Sequence, residues 1–105
     1  MKVRFLYSEE CPSHDEALQR LRNILDEEQV EVDVEIVRVD TFEAAEKERY
    51  PGSPTIMIDG QDICPMSTAH YAPTCRVYVL EDGRISPLPS ASMIRKAVRA
   101  AKSNL

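Results

Sequence analysis

The sequence predicts an α/β fold in which a mixed four-stranded sheet is flanked by helices. Two observations lead to it. Short runs rich in β-branched residues alternate with runs whose apolar residues recur every three or four positions, in the order β-α-β-α-β-β-α. A long helix between the first two strands favours parallel pairing with a right-handed crossover, and the later hairpin is expected to be antiparallel. At 105 residues we expect a single domain, residues 1–105.

The first half of the chain supplies a strand, a helix and a second strand. Val3, Phe5 and Tyr7 alternate with charged or aliphatic neighbours, which is typical of a strand. Apolar residues then recur at helical spacing from about Pro12 to Glu28, and a proline fits the first turn of a helix because no N–H is needed there. Residues 30–40, "VEVDVEIVRVD", predict the second strand.

The second half continues the alternation. Asp40 or Thr41 can cap a short helix, because the side-chain oxygens of both accept hydrogen bonds from helix N–H groups. The stretch from Gln61 to Thr74 has no period and carries two prolines, so it is predicted to be a loop. The other predicted elements are the helix "FEAAEKERY", the third strand "TIMID" ended by an Asp-Gly turn, and the fourth strand "CRVYVL", turned by "EDG" so that "RIS" can pair behind it in a hairpin. An amphipathic helix is predicted from Ser90 onwards.

Composition and charge exclude several classes of partner. The chain has 43% hydrophobic and 30% charged residues and a formal net charge of −5. Nucleic-acid binders present basic patches to the phosphates, so we expect no nucleic-acid partner. No apolar run approaches the length of a membrane span, and the first ten residues lack the apolar core of a signal peptide. We therefore expect no membrane association and a cytoplasmic location.

The stretch "SEECPSH", residues 8–14, places Cys11 at the junction of the first strand and the first helix. Unpaired N–H groups and the positive end of the helix dipole lower the pKa of a thiol there. His14, three residues on, can accept the thiol proton or, when protonated, favour the thiolate. Glu9 and Glu10 act in the opposite direction, because neighbouring carboxylates disfavour a further negative charge. The sequence leaves the direction of the net pKa shift open.

Four short segments resemble those of the thioredoxin superfamily. "CPSH" resembles its Cys-x-x-Cys, and "GSPT", residues 52–55, resembles the loop that carries its cis-proline before the third strand. "DGQD" and "CRVY" are similar to segments of small prokaryotic thioredoxin-like or glutaredoxin-like proteins. The resemblance spans most of the chain and implies a thioredoxin-like fold. It also implies a cis Ser53–Pro54 bond that exposes the Ser53 backbone to an extended substrate strand.

The resemblance further implies a thiol-disulfide oxidoreductase with one departure. His14 stands in the position of the family's second, resolving cysteine, so Cys11 is expected to act as a monothiol nucleophile. Its partners would be protein or small-molecule thiols and disulfides, with no cofactor beyond glutathione as a candidate co-substrate. The residues assigned in this way are Cys11 and His14 for catalysis, and Pro12, Ser13, Ser53, Pro54 and Thr55 for substrate binding.

A second function class stays open beside the enzyme. The same groove could belong to a catalytically inactive thioredoxin-fold binding module that holds a peptide, a soft metal or an organometallic species. Cys11 and His14 are ligand types for a soft metal, but a closed site needs four converging ligands and a single Cys-x-x-His is common by chance. No metal ligands are therefore assigned.

Two further cysteines, Cys64 and Cys75, stand at either end of the segment "CPMSTAHYAPTC". The third strand is expected to run away from Cys11, which favours placing this loop at the far end of the sheet. One interpretation joins Cys64 and Cys75 in a disulfide, and another leaves both reduced, as is usual in cytosol. A third has the loop fold back across the sheet edge, so that one of the two resolves Cys11.

Overall fold

The computed structural model describes residues 1–66 and 70–103. Within them the fold is α/β, with a mixed four-stranded sheet, a separate two-stranded hairpin and three helices. The elements in chain order are β1 (Val3–Tyr7), α1 (His14–Glu27), β2 (Val34–Arg38), α2 (Phe42–Glu48), β3 (Thr55–Ile58), β4 (Gln61–Asp62), β5 (Tyr78–Val79), β6 (Ile85–Ser86) and α3 (Ala91–Ser103).

The main sheet has the strand order β2-β1-β3-β4. β1 pairs in parallel with β2 and antiparallel with β3, so Phe5 lies between Ile36 and Ile56. The parallel pairing predicted from the long intervening helix is confirmed. All four residues of β3 are buried, because this strand has a neighbour on each side and is covered on both faces.

Two apolar clusters cover the two faces of the sheet. On one face α1 and α3 pack on β1 and β3, with Phe5, Leu21 and Ile94 at the centre. On the other face Leu6 packs with Tyr50 and residues of α2. The predicted cap of α2 is confirmed, since the Thr41 hydroxyl accepts a hydrogen bond from the Ala44 N–H at 3.0 Å. α1 begins at His14, two residues later than predicted.

The fourth strand of the main sheet differs from the prediction. β4 is Gln61–Asp62, which pairs antiparallel with β3 immediately after Asp59 and Gly60. Both turn residues have positive φ, 52° and 84°, which reverses the chain within two residues. "CRVYVL" does not enter this sheet; its residues Tyr78–Val79 pair antiparallel with Ile85–Ser86 in the separate hairpin. The predicted hairpin is therefore present, but beside the sheet rather than within it.

Among the described residues, no helix combines the length and the apolar character needed to span a membrane.

Candidate functional site

Cys11 lies in the turn between β1 and α1 and forms a disulfide with Cys75, 64 residues further along the chain. The two Cα atoms are 5.9 Å apart. Cys11 is buried, with 3% of its surface exposed, whereas Cys75 is exposed. In the described part of the chain Cys64 is half-buried and has no disulfide partner. The interpretation that paired Cys64 with Cys75 does not hold, because Cys75 is bonded to Cys11.

The disulfide forms because the segment before Cys75 returns to the Cys11 end of the sheet. The N–H of Ala72 donates to the carbonyl of Tyr50 at 3.2 Å, which places residue 72 beside the segment that leads into β3. The expectation that this loop stays at the far end of the sheet is wrong for its last part. Its residues 67–69 lie outside the described residues.

The backbone of Ser53 is paired with residues 74–76, where the chain has returned to the Cys11 end of the sheet. The Ser53 N–H donates to the Thr74 carbonyl at 2.7 Å, and the Arg76 N–H donates to the Ser53 carbonyl at 3.1 Å. Together they form a parallel bridge between Ser53 and Cys75. The chain's own residues therefore occupy the backbone groups that the sequence assigned to a substrate strand.

The Ser53–Pro54 peptide bond is cis, the isomer expected from the resemblance. Ser53, Pro54 and Thr55 are all buried. The Pro54 carbonyl accepts a hydrogen bond from the Tyr78 hydroxyl at 2.5 Å, and the Thr55 hydroxyl donates to the Gly52 carbonyl at 2.6 Å. The assigned docking residues are thus brought next to Cys11, but the segment around Cys75 covers them while the disulfide is formed.

Arg76, which no sequence motif marks, follows Cys75 directly and is buried. Its Nη1 donates to Asp62 at 2.7 Å and to the Thr55 hydroxyl at 3.1 Å. Its Nη2 donates to the Cys64 carbonyl at 2.7 Å, and the guanidinium carbon lies 4.4 Å from the centre of the Tyr78 ring. Nε has no hydrogen-bond partner among the described residues. Burial raises the pKa of Tyr78, so the ring stays neutral beside the guanidinium.

A cluster of hydroxyl groups connects the Cys11 turn to the Ser53 loop. The Ser8 hydroxyl donates to the Val39 carbonyl at 2.7 Å and is hydrogen-bonded to the Tyr50 hydroxyl at 2.9 Å. The Ser8 N–H donates to the Ser53 hydroxyl at 3.0 Å, while the Ser8 carbonyl accepts from the Cys11 N–H at 3.1 Å. Burial raises the pKa of Tyr50, which therefore remains a neutral hydrogen-bonding group. These bonds set the position of Cys11 relative to Ser53.

The remaining assigned residues lie at the start of α1. His14 is its first residue, and its ring packs on Tyr7 with the ring centres 4.6 Å apart. Its Nδ1 lies 3.3 Å from an Asp15 carboxylate oxygen. Pro12 is exposed and Ser13 is half-buried at the N-cap. A role for His14 as base to Cys11 stays a prediction.

The acidic residues before Cys11 face a charged cleft. Glu9 lies 3.8 Å from the Arg38 guanidinium, which also contacts Asp40. This cation offsets part of the negative charge of Glu9. The cleft has a volume of about 440 Å³ and is lined by Ser8, Glu9, Glu10, Arg38, Asp40 and Pro73.

Within the described residues, no group of three or more His, Cys, Asp or Glu side chains is arranged to hold a metal ion. Comparisons with protein-family models, with curated proteins and with solved structures found no match to this chain.

Proposed function

We propose that the protein is a thioredoxin-like thiol-disulfide oxidoreductase whose redox centre is the Cys11–Cys75 pair. The observation that carries the proposal is the position of this disulfide. Cys11 lies where β1 leads into α1, and the backbone of Cys75 forms a β-bridge with Ser53, the residue before the cis-proline. A disulfide in a reducing compartment is usually transient and catalytic, so the predicted cytoplasmic location belongs to the same proposal.

Cys75 supplies the resolving sulfur that the position of His14 lacks. In the reduced form the Cys11 thiolate attacks one sulfur of a partner disulfide, and the sulfur that leaves takes up a proton. The Cys75 thiolate then attacks Cys11, re-forms the bond between them and releases the partner as a second thiol. Two electrons pass from the cysteine pair to the partner. Glutathione or a protein dithiol would return the pair to the reduced state.

Two features of the turn around Cys11 support its role as the attacking thiol. It precedes the N-terminus of α1, whose unpaired N–H groups stabilise a sulfur anion. In addition, the cation of Arg38 reduces the repulsion from Glu9. His14 in this proposal takes the thiol proton when the disulfide is open.

The burial of Cys11 favours a second candidate, a non-catalytic binding module in which the disulfide only stabilises the fold. In that case an external thiol does not reach Cys11, and the pair stays oxidised under mild reduction. The two candidates differ in whether Cys11 forms a mixed disulfide.

The test uses the reduced protein treated with oxidised glutathione and analysed by intact-mass spectrometry. We expect the Cys75→Ser variant to retain one glutathione on Cys11, because the resolving thiol of Cys75 is absent. The natural protein and the Cys64→Ser variant should instead return to the Cys11–Cys75 disulfide without an adduct. Retention of glutathione by Cys75→Ser on Cys64 alone, or no adduct at all, would show that the binding module is correct.

A further inference from the structure

We propose that residues Thr74–Arg76 are an internal copy of the substrate strand, and that the groove they fill accepts an extended protein segment containing cysteine followed by arginine. This inference rests on the proposed function and adds its substrate class. It also implies that the groove is open to partners only when Cys11 and Cys75 are reduced.

The hydrogen-bond pattern around Cys75 is the pattern that a bound substrate strand requires. The Ser53 N–H donates a hydrogen bond to the residue before Cys75, and the Ser53 carbonyl accepts one from the residue after it. Between these two bonds the Cys75 sulfur is joined to Cys11. An external strand linked to Cys11 by a mixed disulfide would place its own cysteine and its two neighbours in the same positions.

Gly52 makes room for a strand at this distance. A Cβ atom at position 52 would lie 2.8 Å from the Arg76 Cβ and 3.0 Å from the Arg76 nitrogen. Real Cβ atoms do not approach other atoms so closely, so any larger residue would push the strand away from Ser53. The groove is therefore shaped for backbone at close range rather than for a bulky small molecule.

The residue that follows the cysteine enters a slot suited to a guanidinium group. Three hydrogen-bond acceptors line the slot, and none of them belongs to Thr74–Arg76: the Asp62 carboxylate, the Thr55 hydroxyl and the Cys64 carbonyl. Three acceptors of which one is charged match the forked donors of arginine better than the single ammonium of lysine. An acidic residue in the same place would meet Asp62 and be rejected.

The internal strand fills this slot imperfectly. Arg76 Nε is buried without a hydrogen-bond partner among the described residues, which weakens the hold on the segment. Cys75 and Thr74 are exposed, so little apolar contact holds that part of the segment. Once the disulfide is reduced, an external strand competes with the internal one for the same backbone groups of Ser53. While the disulfide is intact, the covalent bond keeps the groove closed.

The test compares short extended peptides whose cysteine carries a coloured aromatic thiol as a mixed disulfide. The Cys11 thiolate of the reduced Cys75→Ser variant attacks the peptide sulfur, forms a Cys11–peptide disulfide and releases the aromatic thiolate, whose colour reports the rate. The residue after the peptide cysteine is arginine, its neutral analogue citrulline, or glutamate. Since charge-assisted hydrogen bonds exceed neutral ones, we expect the arginine peptide to react about tenfold faster than the citrulline peptide, with glutamate slowest.

Matched variants show whether the slot causes the preference. Asp62→Asn should reduce the arginine preference to about the level of citrulline, whereas Glu46→Gln, which removes an exposed carboxylate on α2, should leave it unchanged. A preference that persists in Asp62→Asn, or equal rates for all three peptides on Cys75→Ser itself, would overturn the inference.

The reaction with oxidised glutathione shows whether only the substrate-strand inference fails or the proposed function fails as well. If glutathione reacts with Cys11 and the peptides show no preference, the oxidoreductase stands and the internal substrate copy does not. If neither glutathione nor any peptide reacts at Cys11, both proposals fail.

Discussion

Gly52 is a residue at which the candidate site leaves no room for a side chain. Its φ of +146° lies in a region that residues with side chains rarely adopt, and the Arg76 Cβ would lie 2.8 Å from a Cβ placed on it. Backbone conformation and steric contact therefore both oppose any other residue. Gly60 has a φ of +84° but no atom within 4 Å of a Cβ. Comparing Gly52 with Gly60 therefore separates the effect of steric contact from that of backbone conformation.

We expect Gly52→Ala to lower the free energy of unfolding by about 2–3 kcal/mol, because it adds close contact to backbone strain. Gly60→Ala should lower it by about 1 kcal/mol, since only the strain applies there. Urea unfolding of both variants at neutral pH, with the disulfide intact, measures the difference. Equal losses at the two positions would show that Arg76 moves aside without cost.

Single residues also show where the sequence was informative and where it was not. Cys11 and Pro54 were found because local motifs mark them. Arg76 and Tyr78 were missed because the alternation in "CRVYVL" shows that they share a face, but not which face is buried. Hydrophobicity favours burying the valines, yet Val77 and Val79 are 57% and 63% exposed. The polar groups of Arg76 and Tyr78 are buried instead because Asp62, Thr55 and the Pro54 carbonyl accept their hydrogen bonds.

At the scale of elements, α3 supplies positive charges to the C-terminal end of α1. α1 has no basic residue in its last turn, where cations favour the negative end of the helix dipole. Lys102 of α3 donates to the Glu28 carbonyl at 2.8 Å, and the Arg99 guanidinium lies 3.0 Å from the Glu28 carboxylate. The hydrogen bond from Arg99 is the main reason that the pKa of Glu28 is lowered.

This lowered pKa predicts a pH-dependent part of stability. Because folded Glu28 releases its proton more readily than unfolded Glu28, its stabilising contribution is present above the ordinary pKa of a glutamate and is lost as pH falls through the folded value. Glu28→Gln should therefore lower the melting temperature near pH 7 and have little effect near pH 3. Glu46→Gln on α2 is the control, with no comparable change expected. Equal effects of Glu28→Gln at both pH values would contradict the prediction.

The boundaries of elements were predictable to the extent that local chemistry sets them. Thr41 caps α2 as its residue type suggests, and the apolar stripe of the last helix packs on the sheet. β4 was assigned to the wrong residues because two-residue strands carry no period. Its formation depends on the Asp59–Gly60 reversal next to an already formed β3.

At the scale of the whole molecule, the disulfide joins the turn after β1 to the segment that precedes the hairpin. It closes 64 residues of chain, which include β2, α2 and β3. Loop-closure entropy for that length contributes about 4 kcal/mol to the free energy of unfolding. The disulfide thus links groove closure to the stability of the sheet and of both apolar clusters.

We expect reduction to lower the free energy of unfolding of the natural protein by about 4 kcal/mol, measured by urea unfolding with and without a strong reductant. Cys64→Ser should respond in the same way. The double variant Cys11→Ser with Cys75→Ser should be insensitive to reductant and match the reduced natural protein. If reduction left the free energy of unfolding of the natural protein unchanged, the Cys75 segment would remain fully paired without its covalent bond. The loop entropy of the unfolded state would then contribute little.

Local pattern was sufficient for the α/β class, the parallel pairing of β1 and β2 and the place of Cys11 at a strand–helix junction, because periodicity, caps and turns act over a few residues. Three-dimensional packing alone selected the partner of Cys11 and the strand that covers Ser53. The segment between Cys64 and Cys75 has no periodicity and carries no directional signal of its own. Residues 72–76 are positioned by long-range hydrogen bonds to Tyr50, Ser53 and Asp62, whose positions exist only once the sheet has formed.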